Sequence, residues 1–374
     1  MERVVVVGGG VLGTMHALEA RDRGVDVVHL ERDAEPRRAS VRNFGLVWVS
    51  GRAPGPELDL AITARARWEE LGQLVPGIGF RPDGSLTAVT SEPERAVLEQ
   101  VAERPDAERR GLRLVDGAGA RRLNPALAGD VLAALHCSED AVVEPRHALP
   151  ALREHLAGEG YSWHPGCTVV EVGTGWVRDD RGVTHAGDQV LLCPGAAVSG
   201  AVAEVVAPLP LRSVRLHMME TRPFAGDLAT SLANGDSLRY YPAFDVPARA
   251  ELPPPDPVVE RYAIQLLVAR RAAGGLTVGD THEYDEPFDF AVDEAPLEHL
   301  AGEFARLTGQ PLPSVTRRWT GVYSQCVDGA VCHRSHPDEG VTLVTGVGGR
   351  GMTLSPAIAA ETFDGLGVAE PARA

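Results

Sequence analysis

A chain of 374 residues exceeds the ~250–300 at which one hydrophobic core usually splits, so two domains are expected. A hydrophobic share of 44% fits a soluble globular protein, and no apolar run reaches the ~20 residues that cross a bilayer. The formal charge of −16 argues against nucleic acid as a partner, because phosphate binding relies on clustered cations.

The first unit reads strand, glycine turn, helix, strand. Residues 3–7 are apolar and β-branched, residues 11–22 place Val11, Met15 and Leu18 on one helical face, and "VDVVHLER" is a second strand ending at Glu31. No basic region precedes the valines and glycines interrupt them at once, which makes a poor signal peptide. Residues 86–135 carry acidic and arginine-rich helical patterns. Residues 188–195, "DQVLLCPG", form another glycine-bounded apolar strand. Residues 211–320 alternate in strand fashion around the proline-rich turn "ELPPPDP". The last strand, "VTLVTGVGGRG", leads into an apolar helix. The fold expected is α/β plus α+β: a discontinuous Rossmann-like nucleotide domain with a second, mixed-sheet substrate domain.

Five cysteines, Cys137, Cys167, Cys193, Cys326 and Cys332, form no CxxC pair, so reduced thiols and a cytoplasmic location are expected. All 36 basic residues are arginine. No lysine is therefore available as a Schiff base, general base or charged activator. "CHRSH" at 332–336 matches no closed zinc set, no GxSxG elbow is present, and no metal is expected.

Gly8, Gly10 and Gly13 make GxGxxG around Val11 and Leu12. The first glycine permits the tight turn, the second lets backbone approach a pyrophosphate, and the third lets helix pack close to strand. The helix N-terminus supplies orphan N–H groups and partial positive charge. Glu31, followed by Arg32, stands where an acid accepts hydrogen bonds from a ribose diol and repels a 2′-phosphate. The nucleotide is thus FAD or NAD. NAD dehydrogenases usually complete the nucleotide sheet before the substrate domain, whereas here a glycine-rich strand–helix unit closes the sequence, which suits FAD. Gly346, Gly348, Gly349 and Gly351 let backbone lie against a flat ring. A helix starting near Thr353, beside Met352, aims its positive end at the flavin N1–C2=O edge.

With "HLER" at 29–32, "ASVRNFG" at 39–45, "LLCPGA" at 191–196 and "GVGGRGMTLSP" at 346–356, nearly the whole chain resembles the D-amino-acid-oxidase-like flavoproteins, the family of glycine and sarcosine oxidases. The resemblance implies a FAD-binding domain over 1–85, 141–212 and 323–374, and a substrate domain over 86–140 and 213–322. It implies that Ser40, Asn43, Phe44 and Gly45 wrap pyrophosphate and flavin, that Val169 meets the adenine, and that Pro194 and Gly195 border the cofactor. It implies oxidation of a C–N bond in a small amine by hydride transfer to flavin N5. The product is an imine that hydrolyses, and O2 or another acceptor is reduced. "RLHMMET" and "GDTHEY" further resemble a bacterial subgroup associated with phosphonate catabolism, which implies an N-alkylated aminophosphonate such as N-methyl-2-aminoethylphosphonate. The alternative is a D-amino-acid, glycine or sarcosine type of oxidase or dehydrogenase.

Three departures from the family pattern matter. Gly321 stands where sarcosine oxidases attach flavin through cysteine, so FAD is expected to be non-covalent, with Cys326 the nearest thiol. Thr277 replaces a lysine that promotes reaction with oxygen. Tyr323 replaces the arginine with which glycine oxidase anchors a carboxylate, leaving Arg350, Arg318 or Arg239 to meet a substrate anion. His217 either takes an ammonium proton or binds substrate, or is a satisfied strand histidine. His282, at a strand end, is a second pocket candidate. Tyr240, Tyr241 and Tyr323 line either a pocket for an alkylammonium or the core. Trp48 either roofs the flavin or packs inside, and Arg350 sits within the glycine loop.

Overall fold

The computed structural model describes residues 1–369 apart from 197, 199 and 285. The strand Arg3–Val7 lies in the middle of a six-stranded sheet, with Val4, Val5 and Val6 fully buried. A run of valines without polar alternation suits a parallel strand covered on both faces. Its parallel neighbours are Asp26–Glu31, followed by Tyr161–Pro165, on one side and Gln189–Leu192, followed by Val341–Thr345, on the other. An antiparallel edge strand, His333–Asp338, completes it. The helices Val11–Asp22, Pro145–Leu156, Pro56–Leu74 and Gly351–Gly365 pack together on one face.

The glycine turn explains how the first helix can approach its strand. Gly8 has φ +111°, and a Cβ on Gly13 would stand 1.8 Å from the Gly8 carbonyl oxygen. No other residue fits at position 13 without moving the helix.

The second sheet has eight strands, in the order Val315–Cys326, Leu211–Pro223, Gly275–Gly279, Leu267–Arg270, Ser231–Ala233, Ser85–Val89, Ala133–Cys137, Leu112–Asp116. Its pairs are antiparallel except Ser231–Ala233 with Ser85–Val89. Residues 86–135 are therefore not mainly helical. The helices Glu92–Ala102 and Gly117–Leu123 are short, and five-residue strands before, between and after them pair as sheet. The expected domain limits at 85/86, 212/213 and 322/323 all fall inside strands of this second sheet. Among the described residues no helix is long and apolar enough to cross a membrane, and no cluster of His, Cys, Asp and Glu is able to hold a metal.

Candidate active site

A continuous cleft runs from the glycine turn to the second sheet. Its outer part, about 860 Å³, is lined by Gly8, Gly10, Glu31, Arg32, Ser40, Val169, Pro194 and Gly195. Glu31 sits at the end of its strand with Oε2 accepting the N–H of Gly9 (2.7 Å) and Oε1 that of Asp33 (3.0 Å). A carboxylate has about four acceptor positions, so lone pairs remain for a diol. Ser40 Oγ accepts the N–H of Val11 at 2.9 Å, which places this hydroxyl on the first turn of the helix. Asn43 closes the 39–45 turn, donating to the Ala39 carbonyl (2.8 Å) and accepting from the Gly45 N–H (2.7 Å).

The inner part, about 1080 Å³, shares Gly10, Ser40 and Gly195 with the outer one. Val11, Leu12, Asn43, Phe44 and Trp48 line it from the first sheet's side; Leu216, Tyr241, Gly321 and Tyr323 line it from the second. Gly346, Gly348, Gly349, Gly351 and Met352 form one wall. The helix there runs Gly351–Gly365, so it starts two residues before the expected Thr353. Thr353 itself is fully buried and ties the helix inward, its Oγ1 accepting the N–H of Trp48 at 2.9 Å. Gly13 and Gly45 serve packing instead: a Cβ on Gly45 would meet the Val143 carbonyl at 2.1 Å.

Beyond Tyr241 and Asp280 the cleft opens into a chamber of about 830 Å³ lined by Arg52, Glu57, Arg239, Tyr240, Gln265, His282, Tyr284 and Arg350. Glu57 Oε1 lies 3.1 Å from Arg350 Nε and 3.7 Å from Arg52 Nη1. One carboxylate facing two guanidinium groups leaves positive charge for an anion to neutralise. Tyr240 stacks on His282 with ring centroids 4.2 Å apart, and burial lowers the His282 pKa to about 4, so this imidazole is neutral.

Several buried polar atoms around the cleft have no partner among the described residues: Trp48 Nε1, Tyr323 Oη, Asp280 Oδ1, and both Gln265 amide atoms. Each such group costs about 1–3 kcal/mol if left dry and unpaired. Their concentration in one place marks where bound molecules sit.

Not every expected residue is here. His217 faces away from the cleft. In the strand Leu211–Pro223 successive side chains alternate, so Leu216 lines the cleft while His217 Nε2 lies 3.0 Å from Glu283 on the other face, beside Arg215. Arg318 pairs with Glu294 at 3.2 Å on an outer groove. Arg350 and Arg239 border the chamber and not the inner cleft, and His282 reaches only the chamber. Tyr323 is 7% exposed and lines the inner cleft. Two thiols line the cofactor space, Cys193 in both parts of the cleft and Cys167 in the outer one, whereas Cys326 packs against Gly346. Burial pushes the Cys193 pKa up to about 12, so it stays a thiol.

Three residues escaped the sequence reading: Asp280, Arg52 and Glu57. The stretch "GGLTVGD" drew notice for Thr277 and His282, but an acid directly after a fully buried strand end was the stronger signal. For Arg52 and Glu57 the chain offered only a loop before a helix.

An acid at one end, a helix N-terminus in the middle and a glycine wall at the other suit a ribose diol, a pyrophosphate and a flat ring in turn. A family model described as FAD dependent oxidoreductase matches residues 3–364. An opine oxidase subunit of Rhizobium meliloti is 22% identical over 348 residues, 87% of this chain and 83% of that protein. The structure resembles glycine oxidase from Geobacillus kaustophilus with a TM-score of 0.78 at 20% identity, over 100% of this chain and 97% of the other. It resembles iminodiacetate oxidase from a Chelativorans species with a TM-score of 0.72 at 19% identity, again over 100% and 97%. The chain belongs to the family of FAD dependent oxidoreductases, and its cofactor is FAD.

Proposed function

We propose that the protein oxidises the C–N bond of a small amine whose other end carries an anion, giving an imine that hydrolyses to a carbonyl compound and an amine. The observation that carries this reading is the chamber behind the cleft, where tyrosines surround a buried acid and Glu57 is shared by Arg52 and Arg350. Glycine and iminodiacetate, the compounds after which two structural neighbours are named, are amines that carry carboxylates.

In this reading Glu31 holds the adenosine ribose, Gly8, Gly10 and Ser40 the pyrophosphate, and Val169 the adenine. Asn43, Phe44 and Gly346–Met352 border the flavin. FAD held there would supply the acceptor for the hydride that leaves the carbon beside nitrogen, as the C–N bond becomes C=N. The chain's own part is positioning: Trp48, Tyr241 and Tyr323 exclude water from the reacting carbon, and Arg52 and Arg350 fix the anionic end. An anion held in a chamber behind Tyr241 requires a substrate longer than glycine. A phosphonate, with three acceptor oxygens, suits a pair of guanidinium groups, so an N-alkylated aminophosphonate is the substrate we propose first. Oxygen, reduced to peroxide, is the acceptor in the first reading. One observation favours a second, in which a dye or protein carrier takes the electrons: Thr277 is buried in the strand Gly275–Gly279 and no lysine stands anywhere in the chain.

The test is a panel of N-methyl-2-aminoethylphosphonate, iminodiacetate, sarcosine, glycine and D-amino acids, followed by anaerobic bleaching of the flavin, peroxide release and dye reduction. Bleaching by the phosphonate at a higher kcat/KM than by sarcosine or glycine is expected. Preference for either amino acid refutes the phosphonate, and no bleaching by any amine refutes the amine reading.

A further inference from the structure

We propose that Asp280, with the aromatic side chains around it, forms the site for the substrate's alkylammonium group, and that its carboxylate takes the proton from that nitrogen. The inference rests on the amine reading above and names the residue that would recognise the nitrogen.

Asp280 follows the strand Gly275–Gly279 and is the residue at which cleft and chamber meet, lining both. It is 8% exposed, and its Oδ1 has no partner among the described residues. A buried carboxylate is costly unless a cation or several donors meet it. Among the described residues its surroundings offer no such cation. His282 Nε2 lies 3.4 Å from Oδ2, but that imidazole is neutral, its Nδ1 resting 3.0 Å from the Ala263 carbonyl. Tyr240 and Tyr241 face the acid from the helix Ser237–Tyr240 and the residue after it, Tyr284 from its own loop, Tyr323 from the long edge strand, and Gln265 from the turn before Leu267. The chamber's charges are engaged elsewhere: Arg52 and Arg350 on Glu57, Arg239 on the Pro253 carbonyl, and Arg212 over the Tyr284 ring. An acid inside a set of aromatic faces, with guanidinium groups deeper in the chamber, fits a molecule with an alkylated ammonium at one end and an anion at the other.

The step balances without a further reactant. An ammonium R2NH2+ and the Asp280 carboxylate become R2NH and the carboxylic acid, freeing the nitrogen lone pair that C–N oxidation requires. The proton that Asp280 carries in the empty site leaves to water as the ammonium binds, and the proton then taken from nitrogen restores the carboxylic acid. Burial raises the Asp280 pKa to about 8, against a smaller lowering by the Thr281 backbone N–H, so the empty site is protonated at neutral pH. A permanently charged ammonium must then displace that proton.

The experiment uses the FAD-loaded enzyme and two probes that have no nitrogen lone pair, trimethylglycine and N,N,N-trimethyl-2-aminoethylphosphonate. Their tert-butyl isosteres, with carbon in place of nitrogen, are the controls. Calorimetry in buffers of different ionisation heat should show proton release on binding of the cation at neutral pH, fading as the pH rises above about 8. The better-bound cation should bind at least about ten-fold more tightly than its isostere. Asp280→Asn, checked for FAD content and unfolding midpoint, should lose both effects. Should that variant fail to fold, the pH course of proton release by the wild type decides alone. Equal binding of cation and isostere, or proton release absent or independent of pH, overturns the proposal. If amines bleach the wild-type flavin and Asp280→Asn keeps the same KM and pH profile, Asp280 is wrong and the amine reading stands. If no amine bleaches the wild type, the amine reading itself has failed.

Discussion

One carboxylate, with Thr353 and the buried Arg110, holds the segment that carries Trp48 and Arg52 into the cleft. Asp140 is fully buried; its Oδ1 accepts the N–H groups of Val49 (2.6 Å) and Ser50 (3.0 Å), and its Oδ2 accepts the hydroxyls of Ser50 and Ser85, both at 2.6 Å. Asp140→Ala removes all four acceptor contacts and leaves two backbone N–H groups with nothing to meet. Hydrogen bonds to a charged group are worth about 1.5–3 kcal/mol each, but four do not add, because both hydroxyls can rotate to new partners. Two buried backbone N–H groups left unpaired cost about 1–3 kcal/mol each, and we expect about 4 in all for this variant. Asp140→Asn should cost less, about 1–2 kcal/mol. Its amide oxygen can serve the two N–H groups while its NH2 donates to hydroxyls that turn to accept. Urea unfolding of the wild type and both variants at one saturating FAD concentration measures this, since bound ligand adds its own stabilisation. The Ala variant should also raise KM, because Trp48 and Arg52 lose their support. A loss under about 1 kcal/mol for Ala, or an equal loss for Asn and Ala, would refute the reasoning.

Glu31→Ala should weaken FAD retention by about 1.5–3 kcal/mol, read as roughly 10–100-fold in a flavin-fluorescence titration. Unchanged affinity would remove Glu31 from the cofactor site. His217→Gln should leave the amine KM within about two-fold while lowering the unfolding midpoint, given that its imidazole meets Glu283 behind the sheet. A KM rise of ten-fold or more, about 1.4 kcal/mol, would return it to the cleft. Acid precipitation should release all flavin into the supernatant; a fluorescent band on a denaturing gel contradicts this. Finally, burial depresses the pKa of His16 and of His29 to about 4. The unfolded chain takes up these protons near pH 6.5 while the folded one does not. Their stabilisation is therefore complete above that pH and shrinks as pH falls towards 4, by up to about 3 kcal/mol each. His29→Gln should flatten that fall in urea midpoints, and an identical slope would exclude His29 as a source.

The nucleotide half of the site was legible because its chemistry depends on backbone. Gly8, Gly13 and Gly45 stand where a Cβ would collide with a carbonyl oxygen 1.8–2.3 Å away, and such places leave glycines at fixed spacings. Glu31 is legible because a strand end after GxGxxG has a known direction. The amine half depends on side-chain orientation, which strand pairing decides. His217 and Leu216 differ by one position and face opposite ways, and that choice follows from Leu216 lying opposite Gly321 and His217 opposite Thr320. Asp280 was hidden for another reason. One acid among 52 Asp and Glu attracts no notice until its burial is known.

The order of strands in the first sheet has a consequence for how the protein is made. Arg3–Val7 pairs with Gln189–Leu192, and Val341–Thr345 must arrive before that strand is flanked in turn. The helix Val11–Asp22 waits for Gly351–Gly365, to which His16 Nε2 is joined through Thr362 Oγ1 at 3.0 Å. On the ribosome the apolar N-terminal strand therefore emerges with Asp26–Glu31 on one side but long before Gln189–Leu192 can cover the other, a setting that favours chaperone engagement. FAD cannot seed the fold of a nascent chain whose glycine wall has yet to be translated. It acts instead as a clamp on the finished polypeptide, and scarcity of the vitamin precursor would show first as a pool of full-length, protease-sensitive apoprotein.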